Sequence, residues 1–164
     1  MMKKTMMTVM MILIAAACCF AGTHTIVLVS NVEKKEAQYV IRNTETGDEG
    51  ASVVYTTEEI ARQDVRTSFD IIQCTDSNGI NRVDFTVSAT ELAARVNGRL
   101  YSTEGVSIVM DGVQYGSAVE FTRTAIGAVA AGTAVSSFEV IWPTNENLVE
   151  AIYEACVTLT VTAF

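Results

Sequence analysis

The stretch Val157-Thr-Leu-Thr-Val-Thr-Ala163 decides the fold class, because its side chains alternate between apolar residues and threonine. Successive residues of a β-strand point to opposite faces of a sheet. We therefore expect Val157, Leu159 and Val161 to face a core, while the threonines and the preceding Cys156 point away from it. A strand with one buried face has to be covered by a second layer.

Similar short runs, separated by turn residues, fill the chain from residue 25 onward. Arg82–Ala89 alternates as regularly as the last strand, and Ser136–Trp142 places Phe138, Val140 and Trp142 on one face. The other predicted strands are Thr25–Val32, Ala37–Asn43, Ser52–Tyr55, Ser68–Thr75, Val106–Met110 and Ala118–Thr124. Strands of this kind, joined by turns, predict an antiparallel β-sandwich.

Three connections carry signals of their own. Thr56-Thr-Glu-Glu59 fits a capping box and predicts a turn of helix within Thr56–Asp64. Asp76-Ser-Asn-Gly79 is typical of a turn. Glu146–Ala155 has the apolar spacing of an amphipathic helix, but we interpret it as a loop that enters the last strand.

The first residues predict export. A basic start precedes the uncharged run Thr5–Phe20, and small residues follow it. This order is typical of a secretory signal peptide, and the run is too short for a comfortable membrane span. We expect cleavage after Ala21, so that residues 1–21 are the signal peptide and residues 22–164 form one domain, in the periplasm or at the cell surface.

A second processing route stays open, because Ala15-Ala-Ala-Cys18 resembles the lipobox of lipoproteins. Ala15 stands where such sequences usually carry leucine. The alternative expectation is therefore a lipid anchor on Cys18 or Cys19.

The chain is acidic. Removal of Lys3 and Lys4 with the signal peptide leaves nine basic and nineteen acidic residues, and lowers the net charge from −8 to −10. No run of Lys or Arg remains to bind phosphates, so nucleic acid is not an expected partner. Adsorption to anionic membranes is disfavoured for the same reason, and no later stretch is apolar and long enough to span a bilayer.

Two cysteines, Cys74 and Cys156, remain after the signal peptide. Exported domains commonly pair such cysteines, so we expect a disulfide between them, worth roughly 3–5 kcal/mol for so long a loop. A pair of free buried thiols, or a link between two molecules, are the alternatives left open. The sequence contains neither a CxxC redox motif nor a zinc-like Cys/His spacing.

Catalytic patterns are absent from the sequence. Its one histidine, His24, lies near the expected mature N-terminus, where nothing in the sequence positions it in a Ser-His-Asp or Cys-His set. The acidic pairs Asp48-Glu49 and Glu58-Glu59 lie in polar stretches and are interpreted as solvated surface charge. We expect a protein that is not an enzyme and needs no cofactor.

Cleavage after Ala21 would create one candidate metal site. The new N-terminus would read Gly22-Thr23-His24, whose amine, backbone amides and imidazole can bind Cu(II) or Ni(II) in a square plane. The alternative is that His24 is an ordinary exposed residue before the first strand.

Both ends of the chain resemble a known bacterial family. The matching segments are Phe138-Glu-Val-Ile-Trp142, Leu148-Val-Glu-Ala-Ile-Tyr153, Val157-Thr-Leu-Thr-Val161 and Thr25-Ile-Val-Leu-Val-Ser-Asn-Val32. They are similar to segments of the class 5 fimbrial major subunits, which are built by the alternate chaperone pathway. The resemblance implies an exported, immunoglobulin-like β-sandwich of about seven to nine strands.

The resemblance also implies donor-strand complementation. A subunit of that family lacks one strand, and the N-terminal segment of a neighbour fills the gap by β-augmentation. The donor candidate here is Ile26-Val27-Leu28-Val29, and the partners would be copies of the chain or related subunits. The residues alone allow another interpretation, in which this segment is the first strand of its own core.

The expected function is that of a non-enzymatic exported surface protein, structural or adhesive, like a fimbrial subunit. The alternative is a periplasmic or lipid-anchored module that binds a small ligand or a carbohydrate. For such a module, the aromatic side chain expected on a loop is Tyr115, whereas Trp142 is expected in the core.

Overall fold

The structure, a computed structural model, describes residues 39–50 and 52–163. Two antiparallel sheets pack against each other, which confirms the predicted all-β sandwich. The predictions that lie outside the described residues are the signal peptide 1–21, the lipid-anchor cysteines Cys18 and Cys19, the metal site at Gly22, Thr23 and His24, and the donor segment Ile26–Val29.

Eleven strands and one short helix make up the described chain, so the expectation of seven to nine strands was too low. In chain order they are β1 (Tyr39–Asn43), β2 (Ser52–Thr56), α1 (Thr57–Arg62), β3 (Val65–Gln73), β4 (Ile80–Ala89), β5 (Ala93–Val96), β6 (Arg99–Ser102), β7 (Ser107–Met110), β8 (Val113–Tyr115), β9 (Ala118–Ile126), β10 (Ala134–Trp142) and β11 (Ile152–Ala163). The first sheet has the order β1-β3-β10-β7-β8. In the second, hydrogen-bonded neighbours follow the path β6-β5-β11-β4-β9, and β2 also pairs with β11.

Of the three strands that the sequence did not predict, β5 and β6 form one tight hairpin, and β8 forms a second one with β7. Asn97-Gly98 joins β5 to β6, and Asp111-Gly112 joins β7 to β8. All four turn residues have a positive φ, between 50° and 79°. Two-residue hairpin turns require this backbone conformation, which is why Asn-Gly and Asp-Gly favour them. Tyr115, which was expected on a loop, lies in β8 as a result, so that prediction was wrong.

The core lies between the two sheets. Val83, Phe85 and Val87 are buried on one face of β4, as the alternation predicted. Trp142 is also fully buried, and its Nε1 donates a hydrogen bond to the carbonyl oxygen of Thr90 at 2.8 Å. Since Trp142 belongs to the first sheet and Thr90 follows β4 in the second, this bond ties the two sheets together.

The predicted capping box is confirmed at the start of α1. The Thr56 hydroxyl accepts a hydrogen bond from the Glu59 amide, and the Glu59 carboxylate accepts one from the Thr56 amide at 2.7 Å. Glu58 forms an exposed ion pair with Arg62 on the next turn. The acidic pair Glu58-Glu59 therefore serves the helix, and α1 packs inward through Ile60.

The segment between β10 and β11 is a loop up to Ala151, as interpreted from the sequence, but Ile152–Ala155, which was also expected to be loop, is the start of β11. Thr57 at the start of α1 anchors its end, because its Oγ1 accepts a hydrogen bond from Ala151 N at 2.9 Å and donates one to Val149 O at 2.9 Å. The Tyr153 hydroxyl also donates to Val149 O, at 3.1 Å. These bonds fix the point at which the last strand begins.

Candidate functional site

The last strand, β11, is the longest in the described chain, and its first half is flanked on both edges. Along Ile152–Cys156, β2 pairs with one edge and β5 pairs with the other at Glu154. Thr90, which follows β4, lies on the same edge of β11 as β5, because its backbone N donates to Cys156 O at 2.9 Å. β5 and β4 therefore follow one edge of β11, and β2 lies on the opposite edge.

The second half of β11, Val157–Ala163, pairs with β4 on one edge and with no described strand on the other. The chain before β2 does not cover this edge, because it turns to the first sheet. There Gly50 N donates to Ile41 O at 3.2 Å and Asn43 N donates to Asp48 O at 3.0 Å. Within the described part of the chain, one edge of Val157–Ala163 is thus open to a further strand.

Burial changes at the same point along β11. Tyr153, Ala155 and Val157 face the core and are 0%, 4% and 1% exposed. Leu159 and Val161 point to the same side, as predicted, yet they are only half-buried. A strand on the open edge would bring side chains over these two residues, which now lack part of their cover.

Buried apolar packing continues from the open edge towards the first sheet. Val161 is the cross-strand partner of Phe85, whose ring meets the Tyr39 ring edge-on with the centroids 5.0 Å apart. Tyr39 begins β1, and β1 and β11 approach within 8 Å between Cα atoms. We call the unpaired edge of Val157–Ala163, together with β1 facing it in the first sheet, the side opening.

The side opening is uncharged along β11. Val157–Ala163 contains no ionisable side chain, and its threonines are exposed on the outer face of the sheet. On β1, Arg42 is paired with Asp70 at 3.9 Å. Burial raises the pKa of Tyr39, so its phenol stays neutral at physiological pH. The site therefore offers backbone hydrogen-bonding groups and apolar side chains, which suit an aliphatic β-strand.

The edge of the sandwich at β9 differs from the side opening, because a charged side chain on β9 spans the two sheets there. The Arg123 guanidinium lies over the Phe121 ring at 5.1 Å from its centroid. It also forms an ion pair with Asp111 at 2.9 Å and donates to the Ser136 hydroxyl at 3.2 Å. Arg123 thus connects β9 to the first sheet through a charged side chain, whereas the described contact between the sheets at the side opening is the uncharged ring pair of Tyr39 and Phe85.

A cavity of about 470 Å³ lies beside the loop between β1 and β2. Its lining includes the carboxylates Glu45, Asp48 and Glu49, with Tyr55 and Thr67 between the sheets. The Tyr55 and Thr67 hydroxyls share a hydrogen bond. Burial raises the pKa of Tyr55, and nearby carboxylates, including Glu45, raise it further. The cavity is polar and acidic, and its described lining contains no basic side chain.

The predicted disulfide between Cys74 and Cys156 was wrong. Cys74 follows β3 in the first sheet, whereas Cys156 is exposed on the outer face of β11 in the second sheet. Two cysteines placed in this way do not meet the short Cβ–Cβ distance that a disulfide needs. Burial raises the pKa of the Cys74 thiol, with Glu49 adding to the effect, so this thiol is a weak nucleophile at neutral pH.

The remaining sequence predictions concern metals and membranes. In residues 39–50 and 52–163, no three His, Cys, Asp or Glu side chains are grouped to hold a metal ion. No helix in that part of the chain is long and apolar enough to cross a membrane.

The predicted turn at Asp76–Gly79 is held to the loop after β9. The Asp76 carboxylate accepts a hydrogen bond from Ala131 N at 2.8 Å and so stabilises the loop structure.

Comparisons with protein-family models, with curated proteins and with solved structures find no match to this chain. Function is therefore inferred from the geometry of the described residues. The alternation of β11 predicts that Leu159 and Val161 face the core, but it gives no sign that Tyr39 and β1 lie opposite them across the side opening. The buried Tyr39-x-Ile41 alternation was the available signal, although it does not say which strand lies opposite.

Proposed function

We propose that the protein is a non-enzymatic, exported structural subunit that joins copies of itself by strand addition. A strand supplied by a second copy would lie along Val157–Ala163, on the edge opposite β4, and complete the second sheet. The observation that carries this proposal is the side opening, where an open strand edge coincides with the half-buried Leu159 and Val161.

The chain contains a segment of suitable composition. Ile26-Val27-Leu28-Val29 is apolar at four successive positions, so it would present apolar side chains to both faces of a sheet. An added strand contributes backbone hydrogen bonds, and its alternate side chains fill apolar sites. The resemblance of both chain ends to fimbrial subunits supports the same assignment.

The composition of the open edge also supports the proposal. Natural proteins protect exposed strand edges with lysine, proline, bulges or inward-pointing charges. Val157–Ala163 contains none of these residue types. A strand of seven residues without such protection is expected to be covered in the working state of the protein.

The test is an immunoblot of envelope protein in SDS, with and without boiling. We expect a ladder of bands without boiling and one band after boiling, because strand-exchanged copies separate very slowly. Leu159→Asp should remove the ladder, and the matched outer-face control Thr160→Asp should keep it. A single monomer band in both lanes would contradict strand exchange and favour a chain whose own segment Ile26–Val29 fills its opening.

The acidic cavity favours a second candidate function, a small-ligand or carbohydrate-binding module. Its volume of about 470 Å³ is in the range of small-molecule sites. For this function, the purified monomer should bind members of a glycan array, and Tyr55→Phe should weaken that binding. A monomer that binds no glycan on such an array would leave the carbohydrate form of this candidate without support.

A further inference from the structure

One end of the sandwich carries an exposed apolar surface. Ile80 and Ile126 are direct cross-strand partners on β4 and β9. They are 77% and 83% exposed, which are the two highest values among the described large apolar residues. The loop after β9 adds the exposed side chains of Ala128, Ala130 and Ala131. We call these five residues the apolar tip.

The loops of the apolar tip are held by backbone hydrogen bonds. Gly127 N donates to Gly79 O at 2.7 Å, and Ser77 and Val129 exchange two hydrogen bonds of 2.9 Å each. The chain between Arg123 and Glu139 contains no ionisable residue, and the one carboxylate bonded to the tip is Asp76, which accepts a hydrogen bond from Ala131 N at 2.8 Å. The tip is therefore a defined surface of five apolar side chains with one carboxylate beside it.

The described chain begins at the same end of the molecule. Tyr39 is the cross-strand partner of Gln73. Gln73 in turn joins the tip loop, because its N donates to Thr133 O at 2.9 Å and its O accepts from Gly132 N at 2.7 Å. The segment that contains Ile26–Val29 therefore connects to the domain beside the apolar tip.

We propose that the apolar tip docks against the copy that accepts the strand, an inference that rests on the proposed strand addition. Six residues separate the predicted strand Thr25–Val32 from Tyr39. An extended chain from residue 32 to residue 39 spans at most about 25 Å. A copy that holds this strand in its side opening is thus kept close to the tip of the copy that donates it.

Charge and burial both favour contact at this surface. Two copies with a strong net negative charge repel each other, and a contact surface whose five side chains are all uncharged limits the number of like charges that face each other across the interface. Contact also removes the side chains of Ile80 and Ile126 from water. The tip and the side opening are different surfaces, so the contact is head-to-tail and repeats along a filament.

The experiment compares the purified full chain with two variants. Ile80→Asn combined with Ile126→Asn makes the tip polar, and Leu100→Asn is the matched control, because Leu100 is 65% exposed on the edge strand β6. All three proteins should melt at similar temperatures, since the replaced side chains are exposed. The readouts are the unboiled ladder and hydrogen exchange of the amides in residues 127–132.

We expect these amides to exchange at least tenfold more slowly in the wild-type ladder species than in the monomer. The double variant should form at least tenfold less ladder than wild type, and Leu100→Asn should match wild type. A normal ladder from the double variant, with no protection of residues 127–132 in wild type, would overturn tip docking and leave strand addition intact. Equal losses in both variants would also overturn it. Absence of a wild-type ladder would remove the proposed function itself.

Discussion

The two halves of β11 carry the same alternation of side chains but have different surroundings. In the first half, strands flank both edges of β11, and the buried residues there are Tyr153 and Ala155. Val157, the next residue on the same face, lies just past the pairing with β2 and is also buried. Leu159 and Val161 are half-buried where β4 is the one described neighbour. The difference teaches that alternation reports which face of a strand is apolar, but not whether both of its edges are paired.

The largest expected effect comes from charging the buried half. Val157→Asp places a carboxylate without a partner at a position that is 1% exposed. We expect a loss of at least about 4 kcal/mol in the free energy of unfolding, measured by urea denaturation followed by circular dichroism. Thr158→Asp on the exposed face should change it by no more than about 0.5 kcal/mol. Equal losses would contradict the assignment of faces.

The same change in the open half should cost less. Val161 is half-buried, so the carboxylate of Val161→Asp can remain partly hydrated. We expect the free energy of unfolding of the isolated subunit to fall by about 2 kcal/mol, and we expect the unboiled ladder to disappear. A loss as large as that of Val157→Asp would mean that the side opening is already closed in the isolated subunit.

A smaller effect should separate the halves by their local stability. Thr57→Val removes the hydroxyl that accepts from Ala151 N at the entry to β11. We expect the free energy of unfolding to fall by about 1 kcal/mol. Amide hydrogen exchange should become faster in Ile152–Cys156 and change little in Val157–Ala163. Thr158→Val is the control, since Thr158 is exposed. Uniform acceleration along β11 would show that the two halves open as one unit.

The smallest effect concerns the cap of α1, next to the first half. Hydrogen bonds from the Thr56 amide and then the Thr56 hydroxyl lower the pKa of Glu59. Because the folded pKa lies below the unfolded value of about 4.3, this stabilisation is present above that pH and is lost as the pH falls through the folded pKa. Thr56→Ala should raise the pKa of Glu59 in an NMR titration, and Thr56→Ser should not. An unchanged pKa in Thr56→Ala would mean that the Thr56 hydroxyl does not contribute, since the hydrogen bond from the backbone amide remains in this variant.

Local features of the fold could be predicted from the sequence, because their signals lie within a few residues. The alternation of Arg82–Ala89 and the capping box Thr56-Thr-Glu-Glu59 are of this kind. The hairpins at Asn97-Gly98 and Asp111-Gly112 were missed, although both dipeptides favour tight turns. β5, β6 and β8 have only three or four residues, which is too short for alternation to be recognised, so β7 was predicted as Val106–Met110 without its hairpin partner.

The side opening could not be predicted, because it depends on pairing between distant parts of the chain. Leu159 looks like any core residue until the neighbours of β11 are known. The disulfide prediction failed for a related reason. A count of cysteines shows that Cys74 and Cys156 are available, but it does not place them in different sheets with Cys156 on an outer face.

Trp142 gives this protein an optical reporter of its own. It is the only tryptophan of the chain, and its indole is buried and bonded to Thr90, where β4 leads into β5. Phe85, at the side opening, lies five residues earlier along the chain. We therefore expect the intrinsic fluorescence to change when the two sheets separate beside Thr90. We expect it to stay constant when a strand adds along Val157–Ala163. One unlabelled sample can thus distinguish unfolding from assembly.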